Sequence, residues 1–112
     1  MPRIKTENFR EQDVYLASLA RALAHPARIA ILRTLAASQG CLCGEIVDDL
    51  PLAQASVSQH LKKLTNAGLI SCKNVGASSC YQISPKANAA LSALAQQFAQ
   101  ILGPEHRFTN CC

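Results

Sequence analysis

Apolar residues recur at helical spacing through residues 6–24, where Leu16, Leu19, Ala20 and Leu23 fall on one stripe. A first helix is predicted there. His25-Pro26 divides it from a second, predicted over residues 26–38. Proline suits the first helical position, and the residue before it avoids helical angles, so His25 is expected to cap. Ile31, Leu32 and Leu35 would face the core, with Arg28 and Arg33 outward, and Gly40 fits a stop. A short helix over residues 44–50 ends at Pro51. A fourth covers residues 54–67, with Val57, Leu61 and Leu64 inward at i, i+4, i+7. Its outward positions are Ser56, Gln59, Lys62 and Lys63, with Ser58 at the flank, and Gly68 closes it.

The period then changes. Residues 69–73 and 80–83 read as β-strands around a glycine-containing loop at 74–79, which predicts a hairpin. Ser84-Pro85 starts a last helix, with Ser84 as N-cap and Pro85 at the first position. Ala87, Ala90, Leu91, Leu94, Phe98, Ile101 and Leu102 give it one broad apolar stripe, and Gly103-Pro104 stops it. The fold is therefore expected to be mainly α with a small β-hairpin, ordered α-α-α-α-β-β-α. Two short helices joined by a tight turn, the second polar and basic outside, form a helix-turn-helix, and a hairpin behind it is a wing. The terminal helices have little to cover except each other and a partner, which predicts a homodimer through them. One domain is expected over residues 1–112, with an ordered core at about 10–102 and a tail at 104–112.

Composition adds two constraints. Hydrophobic residues make up 49% of the 112, but aromatics only 4%, with no Trp, so an alanine-rich core would be thin and a partner subunit welcome. The net charge is +4, and its placement matters more. Residues 51–104 carry Lys62, Lys63, Lys73 and Lys86 and no acid, whereas residues 41–50 carry Glu45, Asp48 and Asp49. A basic face of this kind suits phosphates, and double-stranded DNA is the expected partner. Gln54, Ser56, Ser58 and Gln59 occupy the N-terminal half of the reading helix, where base edges are reached. His60, Lys62 and Lys63 are better placed for phosphates, and Lys73 would extend the contact from the wing. Ala53 leaves this helix without a side-chain cap.

Residues 1–12 are charged and polar, and no apolar run approaches a membrane span, so a cytoplasmic protein with free thiols is expected. The six cysteines form no Cys-x-x-Cys. There is no glycine-rich phosphate loop and no ordered Ser-His-Asp set, so an enzyme is not expected, nor an organic cofactor. Cys72 and Cys80 are equidistant from Gly76. A hairpin turning about Gly76 would bring them opposite each other as a redox-labile pair; a one-residue shift would leave them as packing.

Two segments carry a resemblance: Ala22-Leu23-Ala24-His25-Pro26-Ala27-Arg28-Ile29-Ala30-Ile31-Leu32, and the run from Ala53 through Ser56-Val57-Ser58-Gln59-His60-Leu61-Lys62-Lys63-Leu64 to Gly68-Leu69-Ile70. Over about residues 10–102 the chain resembles the ArsR/SmtB family of bacterial winged-helix repressors. The resemblance implies a homodimer that binds operator DNA and lets go when a metal or metalloid binds. Within that family Cys41-Leu42-Cys43 looks like the Cys-x-Cys of arsenic- and antimony-responsive members, before the reading helix. The implied inducer is As(III), Sb(III) or a trivalent organoarsenical held by thiolates, which suit soft ions. On a regular helix Cys41 and Cys43 would point apart; in extended backbone or a first helical turn both can converge on one ion. Ile46 stands where the family's pattern often has a third cysteine, so a third sulfur would come from elsewhere. Cys111-Cys112 in the tail could supply it, or form a separate site. Residues 85–103 hold no Asp, Glu or His, which argues against the zinc site some relatives carry on the last helix. The alternative on the same scaffold is a thiol redox or persulfide sensor.

Overall fold

The computed structural model describes residues 8–38, 41–42 (backbone), 44–46 and 50–103. Helix α1 spans Glu11–Leu23 and α2 spans Pro26–Ala37; strand β1 is Cys41–Leu42. Residues 44–46 are helical. Helix α3 is Gln54–Asn66, followed by β2 (Ile70–Val75), β3 (Ser78–Ile83) and α4 (Ala87–Leu102).

Most elements form where the local pattern puts them. Helix α1 begins at Glu11 rather than earlier, because Arg10 is extended; Glu11 and Asp13 in its first turn complement the helix dipole. Its buried stripe is Leu16, Leu19 and Ala22, so Ala20, expected inward, is exposed. His25 does cap α2: its Nδ1 accepts the Ala27 N–H at 3.0 Å, and Pro26 takes the first position. Ala53 gives α3 no side-chain cap, as expected. At the other end the Leu69 N–H reaches the Leu64 carbonyl at 3.1 Å and the Gly68 N–H reaches Thr65 at 3.0 Å. This pattern needs a left-handed residue, and Gly68 supplies it at φ 78°. Helix α4 starts two residues later than expected. Ser84 Oγ accepts the Lys86 N–H at 3.3 Å, so Pro85 and Lys86 form a turn before the helix.

The hairpin differs from expectation in length and register. Its strands run on to Val75 and from Ser78, leaving only Gly76 and Ala77 as the loop. Gly76 has φ 63°, the positive value that a two-residue turn needs at its first central position. The register pairs Cys72 with Tyr81 and Lys73 with Cys80. Directly opposed residues share a face and neighbours alternate, so Cys72 and Cys80 lie on opposite faces of the sheet. The cross-strand cysteine pair is thereby excluded. A third strand joins the hairpin: β1 pairs antiparallel with β3, Cys41 opposite Tyr81 and Leu42 opposite Cys80, giving the order β1-β3-β2.

The core sits between α2, α3 and the sheet. Ile31, Leu35, Ile46, Val57, Leu61, Leu64 and Leu69 are almost completely buried, and Leu91 and Leu94 of α4 pack against them. Ile46 is notable because it ties the helical residues behind β1 into the same core as α3. Farther along α4, Phe98, Ile101 and Leu102 are exposed at 40, 61 and 68%, and Tyr15 of α1 is 52% exposed. Helices α1 and α4 touch each other. No helix among the described residues is long and apolar enough to cross a membrane.

Candidate nucleic-acid interface

Helix α3 divides its residues by the 3.6-residue period. Val57, Leu61 and Leu64 are fully buried, which fixes the helix against α2 and turns the opposite side outward. Ser58, Gln59, Lys62 and Lys63 are exposed around that side, Gln54 is exposed at the N-terminal end of the helix on the same stripe as Leu61, and Ser56 is half-buried. The structure thus leaves five of the seven helix residues singled out in the sequence exposed. Lys73 is exposed on β2, two residues before Val75, whose apolar side chain is 55% exposed near the tip of the wing.

His60 is the exception. It is half-buried and turned toward α2. Its Nδ1 accepts the Nε–H of Arg28 at 3.2 Å, and its ring lies 4.3 Å from that of His25, tilted by 50°. The same guanidinium donates through Nη1 to the carbonyls of Arg21 at 2.9 Å and Ala22 at 3.3 Å. Those carbonyls belong to the end of α1, where the helix dipole favours a cation; the Arg21 carbonyl also accepts the Ala24 N–H at 3.2 Å. Arg28, expected to point into solvent, instead joins the end of α1, the start of α2 and the middle of α3. Arg33 is exposed as expected. The sequence carried no hint of the Arg28–His60 contact, because the two are 32 residues apart.

This tie depends on protonation. Nδ1 of His60 accepts only when it carries no proton. Burial lowers the pKa of His60 from 6.5, and the positive charges of His25, Arg28 and Lys63 add to that. The unfolded chain therefore takes up this proton at higher pH than the folded one. The contribution is complete above pH 6.5, declines as pH falls below it, and stops changing beneath the lowered folded value. The expected result is a thermal midpoint that drops on acidification more steeply in the native chain than in His60→Gln; parallel pH profiles for the two would show that His60 does not carry the effect.

The cysteines expected as metalloid ligands stand differently. Cys43, Cys111 and Cys112 lie outside the described residues, and of Cys41 only the backbone is described. Among the described residues no three His, Cys, Asp or Glu side chains cluster in a way that could hold a metal ion. Cys72 is exposed and Cys80 half-buried, both as free thiols.

Known proteins resemble this arrangement. A helix-turn-helix domain family matches residues 23–72, from the end of α1 into β2. The HTH-type transcriptional repressor SmtB of Mycobacterium tuberculosis is 46% identical over 66 residues, 59% of this chain and 48% of its own length. The chain thus spans about half of that relative. The HTH-type transcriptional regulator YgaV of Escherichia coli K12 is 34% identical over 79 residues, 70% of this chain and 80% of its own. Among solved structures, an ArsR-like transcriptional regulator from Rhodococcus sp. RHA1 superposes with a TM-score of 0.69 at 25% identity, covering 82% of this chain and 83% of that one.

Proposed function

The chain belongs to the ArsR/SmtB family of winged-helix transcriptional regulators, which are not enzymes, and from that premise we propose that it is a metalloid-responsive repressor. In this reading a homodimer holds operator DNA, and binding of As(III), Sb(III) or a trivalent organoarsenical to cysteine thiolates lowers its affinity.

The observation that carries the DNA half is the surface of α3. Gln54, Ser58 and Gln59 are exposed toward its N-terminus, where base edges are read, and Lys62 and Lys63 follow for phosphates, on a helix anchored by three fully buried side chains. Ser56 would touch the groove from the edge and Lys73 from the wing; His60, turned toward α2, would act through its tie to Arg28. Support for the dimer comes from Tyr15 of α1 and Phe98, Ile101 and Leu102 of α4, large apolar side chains left exposed on terminal helices that a second copy could cover.

The metalloid half rests on donor chemistry and on chain connectivity. Cys41 and Cys43 would hold the ion, with Cys111 or Cys112 as candidate third donor; sulfur is the donor a soft trivalent ion prefers. The supporting geometry is the backbone around them. Cys41 pairs with Tyr81 of the wing, and Ile46, three residues past Cys43, is buried in the core that supports α3. A change in backbone at residues 41–43 is therefore linked on one side to the wing and on the other to the reading helix. An inducer acts only through different affinity for two such arrangements.

DNA reading is tested by selecting bound duplexes from a random pool and measuring affinity by fluorescence anisotropy. The expected result is a preferred sequence whose advantage over random DNA shrinks by about 1–3 kcal/mol in Gln59→Ala, as for loss of one bidentate base contact. Retention of the full preference in that variant, and in Gln54→Ala, would contradict the assignment of base reading to α3.

A further inference from the structure

A cleft of about 380 Å³ opens beside the reading helix, between the end of α1, the start of α2 and the C-terminal half of α3. Ser18, Arg21, Arg28, Lys63 and Asn66 contribute its polar lining. Three of those five are cations and the other two are neutral hydrogen-bonding groups, so among the described residues no carboxylate lines it. Three positive side chains around one concavity repel one another, and an anion placed among them would relieve that repulsion.

The carbonyls that would repel an anion are already engaged. The end of α1 offers the Arg21 and Ala22 carbonyls on this side, and the Arg28 guanidinium donates to both. The same guanidinium is fixed by His60, so its charge is held at the cleft in one position. Arg21 and Lys63 are exposed, rooted on different helices at the rim. Asn66 stands one helical turn beyond Lys63 on α3. Guanidinium forks pair with carboxylate and phosphate alike and an ammonium adds a point charge, so three cations around one cleft suit a multiply charged oxyanion such as phosphate best.

We propose that this cleft receives a phosphate group, held by Arg21 and Lys63 at the rim with Arg28 as the fixed charge behind. The inference deepens the operator-binding reading and rests on it for its favoured source. A duplex read by α3 places sugar-phosphate backbone along the flanks of that helix, and this cleft is one flank. The alternative source of the same chemistry is a free phosphate or phosphorylated small molecule.

The test uses Arg21→Gln and Lys63→Gln in the full chain; both side chains are exposed, and the Arg28 contacts at position 21 are to the backbone, so both variants should melt close to the native chain. Affinity for selected and for random duplex is measured across a salt series. Each phosphate contact adds about 0.9 to the slope of log affinity against log salt. The expected result is a loss of roughly one unit of slope in each variant, equal for both duplexes, with sequence preference intact. In parallel, inorganic phosphate is titrated into the DNA-free native protein and followed by amide NMR. An unchanged slope together with saturable shifts at α1 and α3 that vanish in Arg21→Gln would assign the site to free phosphate. Unchanged slopes with no saturable shifts would overturn the proposal. A native chain that holds no duplex at all would sink the operator reading, leaving the phosphate titration to decide the cleft alone.

Discussion

Replacing Cys41 with serine should leave operator affinity within about twofold of the native chain and abolish its release by arsenite. Serine keeps the size of the side chain and the backbone pairing of residue 41 with Tyr81, so the sheet and the wing remain in place. What it removes is a soft donor, and an alcohol does not replace a thiolate for a trivalent metalloid. Coupling energies between sites in regulators run to about 1–3 kcal/mol, so the native chain should lose roughly 5–150-fold in DNA affinity on saturation with arsenite, and the variant nothing. Cys43→Ser should behave alike. A Cys41→Ser protein that still releases DNA normally with both arsenite and phenylarsine oxide would remove the Cys-x-Cys assignment. If oxidant or polysulfide releases the native chain and arsenite does not, with two thiols lost per event, the sensor reads redox state instead.

A core substitution should have the other large effect. Leu61 lies on the inner side of α3, is completely buried, and belongs to the cluster that includes Ile31, Leu35, Ile46, Val57 and Leu64. Leu61→Ala removes buried methyl groups and leaves a cavity, which costs about 2–5 kcal/mol. Small domains have only about 5–15 kcal/mol in total, so the urea midpoint should fall sharply with little change in slope. Lys62→Ala is the contrast: the neighbouring residue is exposed, and its loss should change stability by less than about 0.5 kcal/mol while weakening DNA binding. A Leu61→Ala chain as stable as Lys62→Ala would mean that α3 is not anchored as described.

The parts of the fold that depend on local pattern were legible in the sequence. The inward row Val57-Leu61-Leu64 follows from a helical period, and the cap at His25 follows from the proline behind it. The terminal apolar stripe was equally plain, and Phe98, Ile101 and Leu102 at its far end are exposed in the single chain. Features fixed by partners distant in sequence were not legible. Strand β1 is two residues long, too short to show alternation, and exists because β3 offers an edge about 40 residues later. The hairpin register turned on whether the loop centred on Gly76 or on the Gly76–Ala77 bond, and that single step separated Cys72 from Cys80. Arg28 carries nothing locally that distinguishes it from the exposed Arg33; only the approach of α3 gives it His60 as an acceptor. The cleft rimmed by Arg21 and Lys63 was invisible for the same reason, since its cations come from three separate helices.

The most direct test of sulfur-to-helix coupling is to titrate phenylarsine oxide into the protein–operator complex while reading two signals at once: ultraviolet absorbance for arsenic–sulfur bonds and fluorescence anisotropy for bound DNA. The expected result is that both move together and saturate at the same ratio of arsenical to protein. Absorbance that saturates while the anisotropy of the complex stays constant would contradict it.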